Sequence, residues 1–583
     1  MISVEMPWGK HYPEGAYEKI NDLDVAESAW DYIEKKFSEY GPENDALIYF
    51  GHKVSRPEYV AMVYKWARIF KGMGIQPDER VVMFSPFTLE VAAMLFGLNV
   101  IGATWVMPNM GASKESIAKC ISDARFAVVY EGLYDMMSLA FEKKQFEKVI
   151  IVSSHTGMAL PIRPIARITN ARIHRRVMAM DKERNITAAQ AEKMYGGYEG
   201  ELKVPFRKGR VAFVNSSGGT TVSGEAKLIQ TINESIVTMS ESAFLSRHEY
   251  YYEAGDICLN MLPPFVSTSM FVLFIAPLIS GGTVILEPRL NPDMFAKSLF
   301  KYRPNITLMP GKGWERYFDI VRGKIAAGKT PDLSHWKLPI IGGEGVIPED
   351  LNKMNKLMKQ CGSPTRLVPG YGMSEVFSVA CVDFQYFGYD PETNKRDCIQ
   401  VGSPFAGFTF GIFDKEGNEL PAGSRGELWI KTPTMMKGYF GNEELTEEVT
   451  KDGWVHTGDY FESDENGVFY CYGRMQDNAV APDGTEVYLF DIASRLRHDK
   501  DVYQTLVANK AHGDEAPRII AHIVLNQGVT SSKKEIIERL KADMADWLPE
   551  GLTVEKYYIH DTKTFRTSPV MKTDKNYYKL NFD

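Results

Sequence analysis

The chain is 583 residues long, 44% hydrophobic and 24% charged, with 67 Lys and Arg against 75 Asp and Glu for a formal net charge of -8. That length exceeds the roughly 250 to 300 residues at which a single core stops growing, so at least two domains are expected. The acidic balance excludes a general nucleic-acid binder, which needs a cationic field to displace counterions from phosphates, and six scattered cysteines without a CxxC pair exclude a disulfide scaffold or a cysteine zinc site.

The first residues, MISVEMPWGKHYPEG, carry no basic segment followed by an apolar one, so a cytoplasmic, reducing location is expected. Short β-branched or apolar runs at 79–84 (ERVVMF), 149–152, 211–214, 283–286 and 338–341 read as strands, and the pattern at 91–99 reads as a helix. Between two of these strands, residues 161–193 are rich in arginine and read as an inserted solvated helix, with a membrane-surface or partner helix as the alternative. The apolar stretch 270–279 has only about half the roughly 20 residues a membrane span needs and reads as a buried helix; no stable membrane span is expected. From 407 the chain turns to short strands punctuated by KEGN and PAGS. After 473 come helical stretches at 491–497 and 532–547 around a strand at 519–524.

The alternation of strand and helix predicts an α/β fold. A large N-terminal domain, 1–473, would hold βα units with parallel sheets and a β-rich subdomain at 407–473. A linker at 474–477 would join it to a small α+β C-terminal domain, 478–583.

Three segments carry candidate chemistry. The run Asn215-Ser216-Ser217-Gly218-Gly219-Thr220-Thr221, continuing to Lys227, combines glycines that let backbone N–H groups wrap an anion, hydroxyl donors and a cation: a phosphate-cradling loop without Walker A spacing. In Gly370-Tyr371-Gly372-Met373-Ser374-Glu375 an aromatic can stack on a base, a serine can donate to a phosphate oxygen and a glutamate can hold Mg2+. In the run ending His456-Thr457-Gly458-Asp459, the carboxylate can accept both ribose hydroxyl hydrogens, with Arg474 adding a donor.

These pieces occur in one order, and from about residue 46 to 575 the chain resembles the adenylate-forming superfamily of acyl-CoA synthetases, adenylation domains and beetle luciferases. The glycine-rich run resembles that family's TSGTTGxPKG, and Tyr371 to Glu375 its YGxTE. Gly426-Glu427-Leu428 with Gly438-Tyr439, the HTGD run, Gly473-Arg474 with Asp477, and the run FRTSPVMKTDK at 565–575 are similar to further family segments. Ala226 and Met571 stand where the family has proline and glycine.

The resemblance implies ATP-dependent conversion of a carboxylic acid to acyl-AMP and pyrophosphate, then transfer to coenzyme A, with ATP, Mg2+ and coenzyme A as reactants and cofactor. Lys572 would be the catalytic lysine, with Ser374 and Glu375 beside it and Mg2+ on Glu375. ATP would be held by Ser217, Gly218, Gly219, Thr220, Thr221, Lys227, Gly343, Glu344, Tyr371, Gly372, Asp459 and Arg474. A mobile C-terminal domain would swing about a hinge at Gln476 and Asp477 between the two steps. Phe265, Val266 and Gly342 would line the acyl pocket. Phe265-Val266-Ser267-Thr268 lacks the aspartate that holds an ammonium in amino-acid-activating members, and an unpaired buried cation costs several kcal/mol, so a small-molecule, non-amino carboxylic acid with an aromatic or medium-length acyl chain is expected. An acyl carrier protein or an amine is the alternative acceptor, and a catalytically degenerate nucleotide-binding protein is the alternative of another class.

Overall fold

The computed structural model describes residues 6–41, 44–121, 123–143, 146–220, 226–246, 252–382, 398–510, 518–562, 564–568 and 571–581; the side chains at 217–220 and 226 lie outside that description, as does Thr221.

Two sheets are built from parallel strands that need covering on both faces. In one, Asp45–Tyr49, Thr283–Leu286, Ile257–Asn260, Ile306–Met309, Leu338–Gly342 and Val368–Tyr371 run parallel as neighbours. In the other, Arg80–Phe84, Thr104–Met107, Phe126–Tyr130, Lys148–Val152, Asn185–Thr187 and Val211–Thr220 do the same. Helix Leu89–Val100 starts where the Thr88 side chain accepts from the Val91 N–H, and every residue in it except Glu90 is buried. Such a helix, apolar all round, belongs between layers rather than on a surface. Ser55 and Glu58 form a reciprocal capping box at the start of Arg56–Gly72, which packs on that helix.

The strands expected at 283–286 and 338–341 appear as Thr283–Leu286 and Leu338–Gly342. Three expectations need amendment. The β-rich segment does not stand apart: Thr409–Phe413, Arg425–Lys431, Val455–Ser463 and Phe469–Arg474 continue the first sheet through Ile399–Pro404 and Cys381–Val382, all antiparallel. The strand expected at 211–214 runs on into the glycine-rich run. The strand extends to Thr220 and pairs antiparallel with Ala226–Ile232, because the ladder absorbs backbone groups that a loop would leave to water. The arginine-rich segment is two helices, Ile162–Met180 and Ala188–Tyr195, separated by strand Asn185–Thr187. The stretch 270–279 is helical and buried as expected, with its middle turn, Phe271–Ile275, widened to a π-helix.

After Asp477 the chain builds its own core. Strands Val502–Lys510, Arg518–Leu525 and Val554–His560 form a separate sheet on which helices Leu489–Leu496 and Lys533–Trp547 bury Ile492, Leu496, Ile536, Leu540 and Met544. No helix among the described residues is long and apolar enough to cross a membrane.

Candidate active site

The carboxyl ends of the parallel strands Leu338–Gly342 and Val368–Tyr371 place the Gly342-Gly343-Glu344 and Tyr371-to-Glu375 runs side by side, Gly342 pairing with Gly370. Open α/β sheets bind ligands at that edge. Gly372 has no room for a side chain, because a Cβ there would collide with the Ser378 carbonyl.

Asp459 is the centre of the first cluster. Its strand partner is Arg474, whose Nε forms an ion pair with Oδ1 at 3.0 Å, while the Tyr371 hydroxyl donates to Oδ2 at 2.7 Å. Arg474 is steadied by a second bond to the Thr457 carbonyl, 3.0 Å. Burial pushes the Asp459 carboxyl upward, against Arg474 and the Tyr371 hydroxyl. A carboxylate offers about four lone-pair positions, so acceptor positions remain beside the Tyr371 bond and the Arg474 ion pair.

Glu375 accepts from the Tyr439 hydroxyl at 2.8 Å, and the Lys227 ammonium lies 5.2 Å from the centre of the Tyr439 ring. Tyr439 thus ties the glycine-rich hairpin to Glu375. Among the described residues no three carboxylates, histidines or cysteines converge as a metal cage. A lone carboxylate fits Mg2+, which is commonly held by one or two carboxylates plus substrate phosphates and water.

Ser374 accepts from the Ser267 hydroxyl at 2.8 Å, and Asn215 Nδ2 donates to Ser267 Oγ at 3.0 Å and to the Phe265 carbonyl at 3.1 Å. Asn215 is buried and its Oδ1 has no partner. Its bridging role was hidden in the sequence, where it opens the glycine-rich run but has no spacing cue to Ser267. Phe265 and Gly342 are buried and Val266 is half-buried; Met261, Met270 and Phe271 join Phe265 in the apolar core.

Lys572 arrives from the C-terminal part. A Cβ on Gly343 would lie 3.3 Å from Lys572 Cε and 3.8 Å from its Nζ, so the lysine crosses the Gly343 backbone, where φ is +89°. The next N–H, of Thr573, donates to Glu344 Oε2 at 2.8 Å. Burial lowers the lysine below its usual range, Arg474 adds to that, and Glu344 opposes it; burial raises Glu344 for the same reason.

Met571 is buried with φ +65°, a backbone conformation costly for a side-chain residue. That left-handed backbone accounts for glycine being the family's residue there. The side chain packs into the N-terminal core with Phe295 and Met309; Gly313 leaves the room, since a Cβ on it would come 3.2 Å from Met571 Cε. Further cross-links between the two parts are Gln504 to Glu315 at 2.8 Å and the buried pair Arg497–Asp350. Asp477, expected in the hinge, accepts the Leu489 N–H on its carbonyl and faces Lys575 and Lys579 at 3.6 and 3.4 Å; Gln476 is exposed in the turn before it.

A cleft at the carboxyl ends of parallel strands, reached by a lysine from the C-terminal part, defines the class. Residues 34–440 match the family model for AMP-binding enzymes, and the chain belongs to that family. It is 23% identical over 545 residues, 92% of each chain, to a long-chain-fatty-acid–CoA ligase of Bacillus subtilis. By structure it superposes at a TM-score of 0.75 on the anthranilate CoA ligase AuaEII bound to anthranoyl-AMP, with 16% identity, covering 97% of this chain and 98% of that one. It superposes at 0.74 on the amide bond synthetase McbA of Marinactinospora thermotolerans, with 20% identity, covering 95% and 99%.

Proposed function

We propose that the chain is an AMP-forming acid:CoA ligase acting on a non-amino carboxylic acid with an apolar acyl group. The observation that carries this reading is the approach of Lys572, from a separately folded C-terminal part, to Gly343 and Glu344 within the AMP-binding fold. The full-length similarity to a fatty-acid–CoA ligase supports coenzyme A as acceptor.

In the first step a carboxylate oxygen attacks the α-phosphorus of ATP, the bond to the β-phosphate bridging oxygen breaks and pyrophosphate leaves. Both reactants are anionic, so neutralising charge is the main demand. Lys572 sits between the carboxylate and the α-phosphate, Lys227 and the glycine-rich run from Ser217 to Thr221 take the outer phosphates, and Asp459 with Arg474 fixes the ribose. Mg2+, held by Glu375 and the phosphates, would offset further negative charge. Glu344 and the Gly343 backbone lie where the adenylate and acyl group meet. In the second step the thiolate of coenzyme A attacks the acyl carbon and AMP leaves. Lys572 must first be withdrawn, and rotation about Gln476 and Asp477 does this.

Met571 holds the adenylating arrangement. Met571→Gly relieves backbone strain of about 1 to 2 kcal/mol but removes a buried side chain worth about 1.5 to 3 kcal/mol. Packing is the larger effect by about 0.75 kcal/mol at the centres of these ranges, so acyl-AMP formation should slow roughly threefold while transfer from added acyl-AMP holds or rises. Equal slowing of both half-reactions would refute a role specific to the closed arrangement.

The test of function is pyrophosphate release with ATP and Mg2+ across aryl, short, medium and long carboxylic acids plus amino acids, with and without coenzyme A. Turnover that needs coenzyme A with one apolar acid class is expected. Adenylate formation unresponsive to coenzyme A would move the reading to a carrier protein or an amine, and inactivity throughout would favour a degenerate nucleotide-binding protein.

A further inference from the structure

Helix Ile162–Met180 is attached along one side, where Arg176 also pairs with Asp135 at 2.8 Å and Met178 packs on the neighbouring core. Val177 is buried, His174 meets Glu131 at 2.9 Å and Asn170 donates to Ser154 at 3.2 Å, positions four or three residues apart that share a face. The opposite face is given to solvent, and it is not the polar face expected of a solvated helix. Ile165 is 66% and Ile168 77% exposed on that face, and Leu160, just before the helix, is 80% exposed; Ile162, Ile173 and Met180, exposed along the flank nearer Val177, bring the segment to six of the ten large exposed apolar residues among the described residues. Scattered exposed apolar side chains need no explanation, but a cluster of them does.

The charge on the same helix is one-sided. Arg163, Arg167, Arg172, Arg175 and Arg176 lie within it, and its nineteen residues contain no aspartate or glutamate. At 100° per residue, Ile165, Ile168, Arg172 and Arg175 fall on the outward side, opposite Val177. The chain as a whole carries -8, so this positive strip is local and runs against the overall balance.

We infer that Ile162–Met180 docks the protein on an anionic lipid bilayer, lying in the headgroup region with its isoleucines among the upper acyl chains and its arginines on lipid phosphates. Alternation of arginine with branched apolar side chains matches both chemistries of that interface at once. The inference does not depend on which acid or acceptor the active site uses.

The experiment is cosedimentation of the full-length chain with phosphatidylcholine vesicles, with and without phosphatidylglycerol. Each arginine near an anionic surface contributes about fivefold in affinity, so binding to the anionic vesicles should exceed binding to neutral ones by at least ~10-fold and fall with added salt. The double variants R172E/R175E and I165S/I168S, each melting with the parent, should both lose ~10-fold or more of that binding. An environment-sensitive fluorophore on Ile168→Cys should shift to the blue on anionic vesicles alone. Equal binding to both vesicle types, or double variants that bind as the parent does, would overturn the inference. So would variants that only dissociate a dimer, which would make the occupant a second copy, or an unshifted fluorophore, which would leave electrostatic contact without insertion.

Discussion

Lys572→Ala should lower acyl-AMP formation by about 100- to 1,000-fold, some 3 to 4 kcal/mol, the range seen when one group poised on developing charge is removed. Transfer to coenzyme A from added acyl-AMP should stay within about threefold of the parent, because a lysine that must be withdrawn before that step stabilises nothing in it. The split is what the geometry requires: the ammonium lies over Gly343, and its neighbour Thr573 is bonded to Glu344. Pyrophosphate release and thioester formation, assayed separately, decide the matter; equal loss in both would place Lys572 in a structural role. A pH effect follows with a definite sign. Burial lowers Lys572 from the usual lysine range, so its charge, and adenylation with it, is lost as pH rises through that lowered value. The alkaline limb should therefore start earlier than for an ordinary lysine. It should move upward in Lys572→Arg, whose residual activity is limited by a fork that does not match a point-charge site.

Much of this site was legible in sequence because its parts are local. Tyr371, Ser374 and Glu375 lie within five positions, and a strand's end followed by glycine fixes where they point. Asp459 and Arg474 are also readable as a pair, since a short turn makes their strands neighbours. What resisted reading is the pairing of distant segments. Tyr439 is a ladder partner of Ile229 in the second sheet although its neighbours in sequence belong to the first, and that jump is what brings it to Glu375. Periodicity reports whether a residue is buried, not against what, so nothing in the sequence set Met571 against Phe295 and Met309. The arginine-rich segment shows the same limit. Its composition allowed a solvated or a surface-binding helix, and the choice turns on which face Val177 buries.

Asp459→Ala should raise the KM for ATP by about 100-fold, because two hydrogen bonds from ribose hydroxyls to a charged acceptor are each worth roughly 1.5 to 3 kcal/mol. The fold itself should lose less. Asp459 is 7% exposed, but the Arg474 side chain is 52% exposed and water can take over its guanidinium, so the main structural cost is the stranded Tyr371 hydroxyl, about 1 to 3 kcal/mol. That residual cost is why the affinity change alone is insufficient, and a cycle with a modified nucleotide separates the two effects. With 2′,3′-dideoxy-ATP the parent should lose about as much as Asp459→Ala loses with ATP. The variant should lose little more when given the dideoxy nucleotide, because the partner of those hydroxyls is already gone. If instead the hydroxyls matter equally to parent and variant, Asp459 serves Tyr371 and Arg474 as a structural anchor, and the ribose is held by other groups in the cleft.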